Sequence, residues 1–455
     1  MLTTSIPTPV TPAHRTSTVL IPALFGSFLI ILDASVVNVA LPDLGRQLGA
    51  NMAGLQWVVD GYTLMFAALL LSAGALADRI GAGRAFCLGL GGFALASAAC
   101  GAAPTLGLLV AARFAQGVTA ALVLPSSLAL VRQGYDDPAK RAWAVSIWAV
   151  AGSSAIAAGP VLGGLLTAWS WRTIFLINVP VAAVALWRAR RLAPSPRRAT
   201  PLDPAGQITA VLALAGLTFA LIEGGRIGYA AWPVLIAFGV AVLAGTAFAV
   251  IEARVRRPIV PPGLVGQRTV AIILGVGFTF NAAFYGIVFV LSLYLQQTRQ
   301  LSPLATGLVF APTMLLIIVA NLASPRLAAR FGPRVPIVVG QLIVVTGLLL
   351  LLAVGPATPA PLIAALAIPI GLGGGIAVPT LMTVLLDSVA PERAGMAGGI
   401  FNAVRQVGGA TAVAIFGSLL AGTTAPRSGM TSSLLVAAVP LLVTAGVSMG
   451  LRRTR

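Results

Sequence analysis

Long apolar runs separated by short polar stretches set the pattern of this chain. The runs 106–130, 142–168, 270–295, 335–354 and 362–386 stand out. Each reaches the roughly 20 mostly apolar residues that a helix needs to cross a bilayer. Hydropathy predicts fourteen such blocks: 17–41, 56–77, 85–103, 106–131, 142–168, 173–188, 206–222, 232–251, 269–295, 304–328, 335–354, 361–386, 395–422 and 431–450. The block 173–188 is the shortest. Composition agrees, with 58% hydrophobic and 9% charged residues and a mean hydropathy of +0.98 over 455 residues. A soluble domain is about 45–50% apolar and about 25% charged, and no soluble fold of this length could hide the excess. Lipid can. The pattern specifies an all-α polytopic membrane protein.

Charge sets the expected orientation. The net charge is +18, and Lys140 is the only basic residue that is not Arg. Such a balance suits nucleic acid, but its placement excludes that partner. With the N-terminus inside, 22 of the 29 Lys+Arg fall in cytoplasmic segments. Arg46, Arg172, Arg226, Arg299 and Arg427 fall outside, and Arg113 and Arg405 lie within helices. This is the positive-inside bias. It predicts a multi-pass protein of the cytoplasmic membrane with both termini cytoplasmic. The clusters Arg188, Arg190, Arg191, Arg197, Arg198 and Arg254, Arg256, Arg257 set topology and can also meet anionic head groups of the lipid bilayer. Cys87 and Cys100 fall on one predicted helix, roughly 20 Å apart, too far for a disulfide. The single His14 sits in a polar tail. The first apolar block is too long for a signal peptide and is expected to be retained.

The chain also repeats itself. LADRIGAGR (76–84) matches LAARFGPR (327–334), PAKRA (138–142) matches PERA (391–394), and LPSSL (124–128) matches VPTLM (378–382), at offsets of 251, 252 and 254. A shared order and a nearly shared offset imply two related halves. Six predicted helices precede residue 190, six follow residue 268, and two lie between, flanked by LAPSPRRATPLDP and EARVRRPIVPPG. An even insertion lets both halves keep one orientation, as a parallel repeat requires. The expected plan is a cytoplasmic tail (1–16), a six-helix bundle (17–190), linkers with two inserted helices (191–268), a second six-helix bundle (269–450) and a tail (451–455).

Several motifs carry a family resemblance. They are LDASVVNVALPDL (32–44), GALADRIGAGR (74–84), RFAQGVTAA (113–121) and GPVLGG (159–164), with WRTIFLINVP (171–180) and YLQQTRQLSPLATG (294–307) beside them. In this order they resemble the fourteen-helix drug:proton antiporter branch of the major facilitator superfamily, over about residues 20–450. The chain departs from that pattern at Ala82, Gly83 and Arg84, and at Ala155. The resemblance implies the major-facilitator fold and a multidrug or antibiotic efflux function. It assigns proton transfer to the Arg113 motif and gating to Gly159, Pro160, Gly163 and Gly164.

The residues support specific chemistry. Asp33 lies in the middle of an apolar helix, where a carboxylate needs a proton, a partner or water. Arg113 stays charged and needs a partner too; it could hold Asp33 ionised until a proton or substrate separates them. Asp60 is a second acid for coupling or cation binding, or a carboxylate that reaches water near the interface. Glu223 reads as a solvated loop acid. Gly152, Ala155, Gly159 and Gly163 make a small-residue face on a helix bent by Pro160, suited to a hinge or to close packing. Gly74, Asp78, Arg79, Gly81 and Arg84 form a cytoplasmic turn. There Asp78 could cap the next helix or latch onto an Arg of a neighbour, while Ala329 replaces it in the second half. Gln116, Asn281, Phe284, Tyr285, Tyr294, Asn402, Arg405 and Gln406 are candidates for lining a substrate cavity, or for packing.

No HExxH, Cys/His cluster or phosphate loop occurs, which argues against an enzyme, a metal site or an ATP-driven pump. The expected function is proton-coupled export of a lipophilic small molecule by a monomer, with protons as coupling ion and no cofactor. A dedicated exporter of an endogenous metabolite or self-made antibiotic shares this fold. A non-transporting membrane receptor would bind ligand without flux.

Overall fold

The computed structural model describes residues 13–192, 195–197, 203–255, 258–390, 393–422 and 426–451. Residues 1–12, Arg198, Arg256, Arg257 and residues 452–455 lie outside that range, so the two Arg clusters and both predicted tails are covered only in part. The described residues form helices and no strand. They are α1 (Ala13–Leu48), α2 (Met52–Ile80), α3 (Ala82–Ala102), α4 (Leu106–Gln133), α5 (Pro138–Thr167), α6 (Thr173–Leu176), α7 (Asn178–Ala189), α8 (Pro204–Ile227), α9 (Trp232–Arg254), α10 (Pro262–Val265), α11 (Arg268–Leu293), α12 (Pro303–Phe331), α13 (Arg334–Leu351), α14 (Ala360–Asp387), α15 (Ala394–Ala421) and α16 (Pro426–Ser448). A π-helical turn, Tyr294–Thr298, extends α11.

Thirteen of these helices are long and apolar enough to cross a membrane, and the shorter α6–α7 stretch, Thr173–Ala189, supplies the remaining predicted block. It is broken at Ile177, between α6 and α7. Pro180 explains the break, since it offers no N–H to the carbonyl of Leu176 and is tolerated only in the first turn of a new helix. Helix starts follow local chemistry. Asn51 caps α2 and Asp137 caps α5 ahead of Pro138, each accepting an N–H at 2.9 Å. Ser302 does the same for α12 ahead of Pro303 at 3.2 Å. The Lys140 N–H holds the Asp137 carboxyl below its ordinary range. Gly81 and Gly332 occupy the left-handed region at φ 95° and 77°. They lie 251 residues apart, the spacing of the sequence repeat that contains them.

Packing is close where small residues meet. A methyl group at Gly159 would sit 2.0 Å from Ser35 Oγ, and one at Gly163 would sit 2.6 Å from the Val36 carbonyl. The small-residue face of α5 therefore rests directly on α1. We call the two ends of the bundle Arg-poor (the α1–α2 connection) and Arg-rich (the α2–α3 connection). Among the described residues, every hydrogen bond that directly joins α1–α7 to α11–α16 lies in the Arg-poor half. Gln56 Nε2 donates to the carbonyls of Val413 (3.1 Å) and Ala414 (2.7 Å), Ser292 Oγ to that of Asn38 (2.9 Å), and Gln296 Nε2 to that of Val39 (2.8 Å). There α5 and α12 also touch backbone to backbone. A methyl at Gly164 would lie 2.5 Å from the Pro303 carbonyl oxygen, and one at Gly307 would lie 2.4 Å from that of Pro160.

The inserted pair sits on one seam. α8 packs between α2 and α15, with Gln207 Nε2 donating to the Ala68 carbonyl (2.9 Å) and Ser418 Oγ to that of Leu221 (2.7 Å). α9 packs chiefly on α8 and presents much of its surface outward. α8 runs five residues beyond its predicted end, which corrects the reading of Glu223. That residue lies within the helix, 8% exposed, paired with Arg226 and accepting from Trp57 Nε1 at 3.3 Å.

The seal makes a contrast of two glycines testable. Gly→Ala inside a helix is worth about 1 kcal/mol in propensity, and Gly275 has open space around it. Gly307→Ala must push the Pro160 carbonyl away, an overpacking penalty of about 1–3 kcal/mol. We expect Gly275→Ala to melt at or above the parent temperature and Gly307→Ala below it. Thermal unfolding of the detergent-solubilised protein checks this.

Candidate functional site

Asp33 on α1 and Arg113 on α4 are both 0% exposed and form an ion pair between Asp33 Oδ2 and Arg113 Nη1. Sequence supplies the two charges but not their contact. α2 and α4 also bring neutral partners. Gln116 Nε2 donates to Asp33 Oδ1 (2.9 Å), and Gln116 Oε1 accepts from Arg113 Nη1 (2.8 Å). Arg113 Nε donates to the Val58 carbonyl at 2.8 Å, and its Cζ lies 4.4 Å from the Tyr62 ring centroid. Gly117 makes this possible, because a methyl there would meet the Tyr62 carbonyl at 2.4 Å. The α6–α7 break adds Asn178, whose Nδ2 donates to Asp33 Oδ1 at 2.9 Å. Ser97 on α3 accepts from both amides, at 2.7 Å from Gln116 and 3.2 Å from Asn178. Asp33 thus receives three donors, which offset part of the desolvation cost of a buried charge pair.

Asp60 lies three residues past Trp57 on α2. It is 0% exposed, and neither carboxyl oxygen has a hydrogen-bond partner. It does not reach solvent here, so the interfacial reading of this acid does not hold in this conformation. Arg113 Nη2 is likewise buried without a partner.

A second polar cluster lies on α11 and α15. Arg405 Nε and Nη2 donate to Asn281 Oδ1 (3.1 and 2.9 Å), and Asn281 Nδ2 donates to Gln406 Oε1 (3.4 Å). Tyr285 stands edge-on to Phe284, ring centroids 5.4 Å apart. Asn402 is half-buried one turn before Arg405 and makes no side-chain hydrogen bond among the described residues. Tyr294 is apart from this cluster, 3% exposed in the Arg-poor core with its hydroxyl unpartnered.

Comparison with known proteins decides the family. Residues 23–413 match the model of the Major Facilitator Superfamily. The chain belongs to the Major Facilitator Superfamily. As a multi-pass facilitator it is similar to the methylenomycin A resistance protein of Streptomyces coelicolor, 37% identical over 426 residues, 92% of this chain and 88% of that one. It is also similar to the tetracenomycin C resistance and export protein of Streptomyces glaucescens, 32% identical over 404 residues, covering 87% and 74%. Its fold is similar to a crystal structure of the peptide transporter POT bound to alafosfalin, with TM-score 0.69 at 15% identity, covering 97% and 98% of the two chains.

Within this facilitator the residues of the α2–α3 turn are spread differently than Asp78 suggested. Asp78, Arg79 and Arg84 are exposed, and Asp78 has no hydrogen-bond or ion-pair partner among the described residues. It does not cap α3, whose cap position is Gly81. The linker does so instead, as Gly83 N donates to Ser195 Oγ at 3.1 Å. A methyl at Gly74 would sit 3.8 Å from Pro125 Cβ, an ordinary contact. Asn178, Ser97, Gln56, Ser292 and Ser195 were not singled out from sequence. Only Asn178 carried a signal there, as a polar residue just before Pro180 in an apolar run.

Removing one member of a buried ion pair costs about 3–5 kcal/mol because it leaves a bare charge. Arg113→Gln is therefore expected to lower the melting temperature sharply, and Asp33→Asn in the same chain to restore part of it. Additive losses in this double-mutant cycle would show that the two side chains act independently.

Proposed function

We propose that this chain exports a lipophilic small molecule across the cell membrane in exchange for protons, by alternating access. The observation that carries this reading is the Asp33–Arg113 pair, fully buried and hydrogen-bonded within the spanning helices. Intramembrane charges of this kind mark coupling pathways. A proton arriving at Asp33 converts an acceptor of three hydrogen bonds into a group that needs an acceptor itself. A proton on Oδ2 displaces Arg113 while Oδ1 can still accept from Gln116 and Asn178, and loss of the ion pair loosens the hold of α4 on α1. Asp60, buried without partners, is stable only as the neutral acid or beside a cation. That makes it a second place for a proton or a cationic substrate.

The Arg-rich end is assigned to the cytoplasm by the positive-inside bias, with both termini there. The seal at the Arg-poor end then corresponds to an inward-facing state. In the reverse state α1–α7 and α11–α16 rock apart at Gly164, Gly307, Gln56 and Gln296, and Asp78 finds its partner as the Arg-rich end closes. In this reading the exporter works as a monomer, without catalysis and with no cofactor. The relatives named for resistance to methylenomycin A and for resistance to and export of tetracenomycin C support an antibiotic as substrate.

Inverted vesicles test the proposal with methylenomycin A, tetracenomycin C and ethidium as probes. Parent protein should accumulate at least one probe when the lumen is acidified, and Asp33→Asn should reduce that flux to background. Flux that survives collapse of the pH gradient would rule out proton antiport. Binding without flux of any probe would favour a receptor.

A further inference from the structure

We infer that Arg405, Gln406 and Tyr285 form the receptor for a carboxylate carried by the exported molecule. This rests on the export reading and narrows its substrate class. The starting point is a charge without a counter-ion. Arg113 is neutralised by Asp33, whereas Arg405 has no ion-pair partner among the described residues. Acids are scarce in the second half of the sequence. Beyond residue 258 its only acids are Asp387 and Glu392. Asp387 is the last residue of α14, and Arg405 lies eleven residues into α15, roughly 16 Å along the helix axis from its start. An unpaired guanidinium at that depth requires an anion or water.

The neighbouring amides are set to receive an anion. A guanidinium has no acceptor, so Asn281 must turn its oxygen to Arg405, and it takes both Nε and Nη2. Its nitrogen then faces Gln406 and binds Oε1, which directs Gln406 Nε2 away from the pair. Both amide oxygens are thereby occupied within the protein. What remains unused is Arg405 Nη1, Gln406 Nε2 and the Tyr285 hydroxyl, which makes no hydrogen bond to the described residues. Beside the guanidinium the unused groups are chiefly donors, with Asn402 one turn away still free to donate or accept. Arg405, Gln406 and Tyr285 are each half-buried rather than sealed, so the cluster keeps accessible surface. Aromatic surfaces frame them, with the Phe401 ring 5.6 Å from the guanidinium and Phe284 against Tyr285. A planar fork beside aromatic walls suits a lipophilic carboxylate.

The test uses purified full-length protein in nanodiscs, with 1-naphthoate and its neutral isostere 1-naphthamide as probes and equilibrium binding as readout. We expect naphthoate to bind about tenfold or more tightly, the yield of one charge-assisted pair. Arg405→Gln should erase the preference, Arg405→Lys should keep part of it, and Arg326→Gln, at an exposed site, should keep all of it. Gln406→Glu installs a resident carboxylate beside Arg405. It should raise the melting temperature and abolish the preference, which keeps the test decisive if Arg405→Gln does not fold. Equal affinity for the two probes, no binding of either, or a preference that survives Gln406→Glu would overturn the assignment. Vesicle flux separates the two levels. Proton-driven flux with equal probe affinities rejects the carboxylate site alone, whereas a carboxylate preference without proton-driven flux rejects the export reading alone.

Discussion

A carboxylate and a guanidinium buried together in an apolar bundle cannot be moved independently. Separating Asp33 from Arg113 without compensation strands two charges, each several kcal/mol out of place. The surroundings are built to prevent that. Gly117 lets α4 approach the Tyr62 carbonyl, the Val58 carbonyl takes Arg113 Nε, Gln116 and Asn178 donate to Asp33, and Ser97 accepts from both amides, which leaves Arg113 Nη2 without a partner among the described residues. Five helices, α1, α2, α3, α4 and α7, therefore share one electrostatic centre. A proton is the smallest ligand able to change its charge without adding bulk.

The seal hangs on the same helix. Two residues beyond Asp33, Ser35 lies under Gly159 of α5, and Val36 lies under Gly163. Asn38 and Val39 then give their carbonyls to Ser292 and Gln296 across the seam. From Asp33 to Val39 the helix rises only about 9 Å. One stretch of α1 thus touches the charge centre, the small-residue face of α5 and the partner half. Because cores of this density respond by discrete repacking rather than smooth deformation, a change at Asp33 has a short mechanical path to the contacts that close the Arg-poor end.

Much of this was legible in the sequence because the membrane allows few solutions. Apolar runs became helices near their predicted limits, and Asn, Asp, Ser and Pro marked their starts. Asp33, Arg113 and Arg405 stood out because charge is rare in such helices. What sequence hid were the pairings. Nothing in periodicity says that Gln116 and Asn178 converge on one carboxylate oxygen, since they sit 62 residues apart on α4 and α7. Gln56 and Gln296 looked like ordinary polar residues near helix ends, yet each caps backbone carbonyls of the other half. Glu223 misled because the hydropathy window ended α8 early, at the glycines that follow it. Asp78 misled because a capping residue is judged by its neighbours in sequence, and here the cap comes from Ser195, more than a hundred residues on.

The two halves share short sequence matches at nearly one offset but differ electrostatically. The first half holds an acid and a base that cancel, plus an unpaired acid at Asp60. The second holds a base with no acid inside the membrane. A symmetric pair of neutral bundles could rock, but neither would favour one state when a charge arrives. On the proposed reading, proton chemistry in one half and an unmatched cation in the other let two different ligands act on two different surfaces of the same seam. Each ligand then shifts the equilibrium only by its differential affinity for the two states. The proposed exchange requires that neither surface be satisfied by the protein alone, and Asp60, Arg405 and Tyr285 each keep atoms without a partner among the described residues.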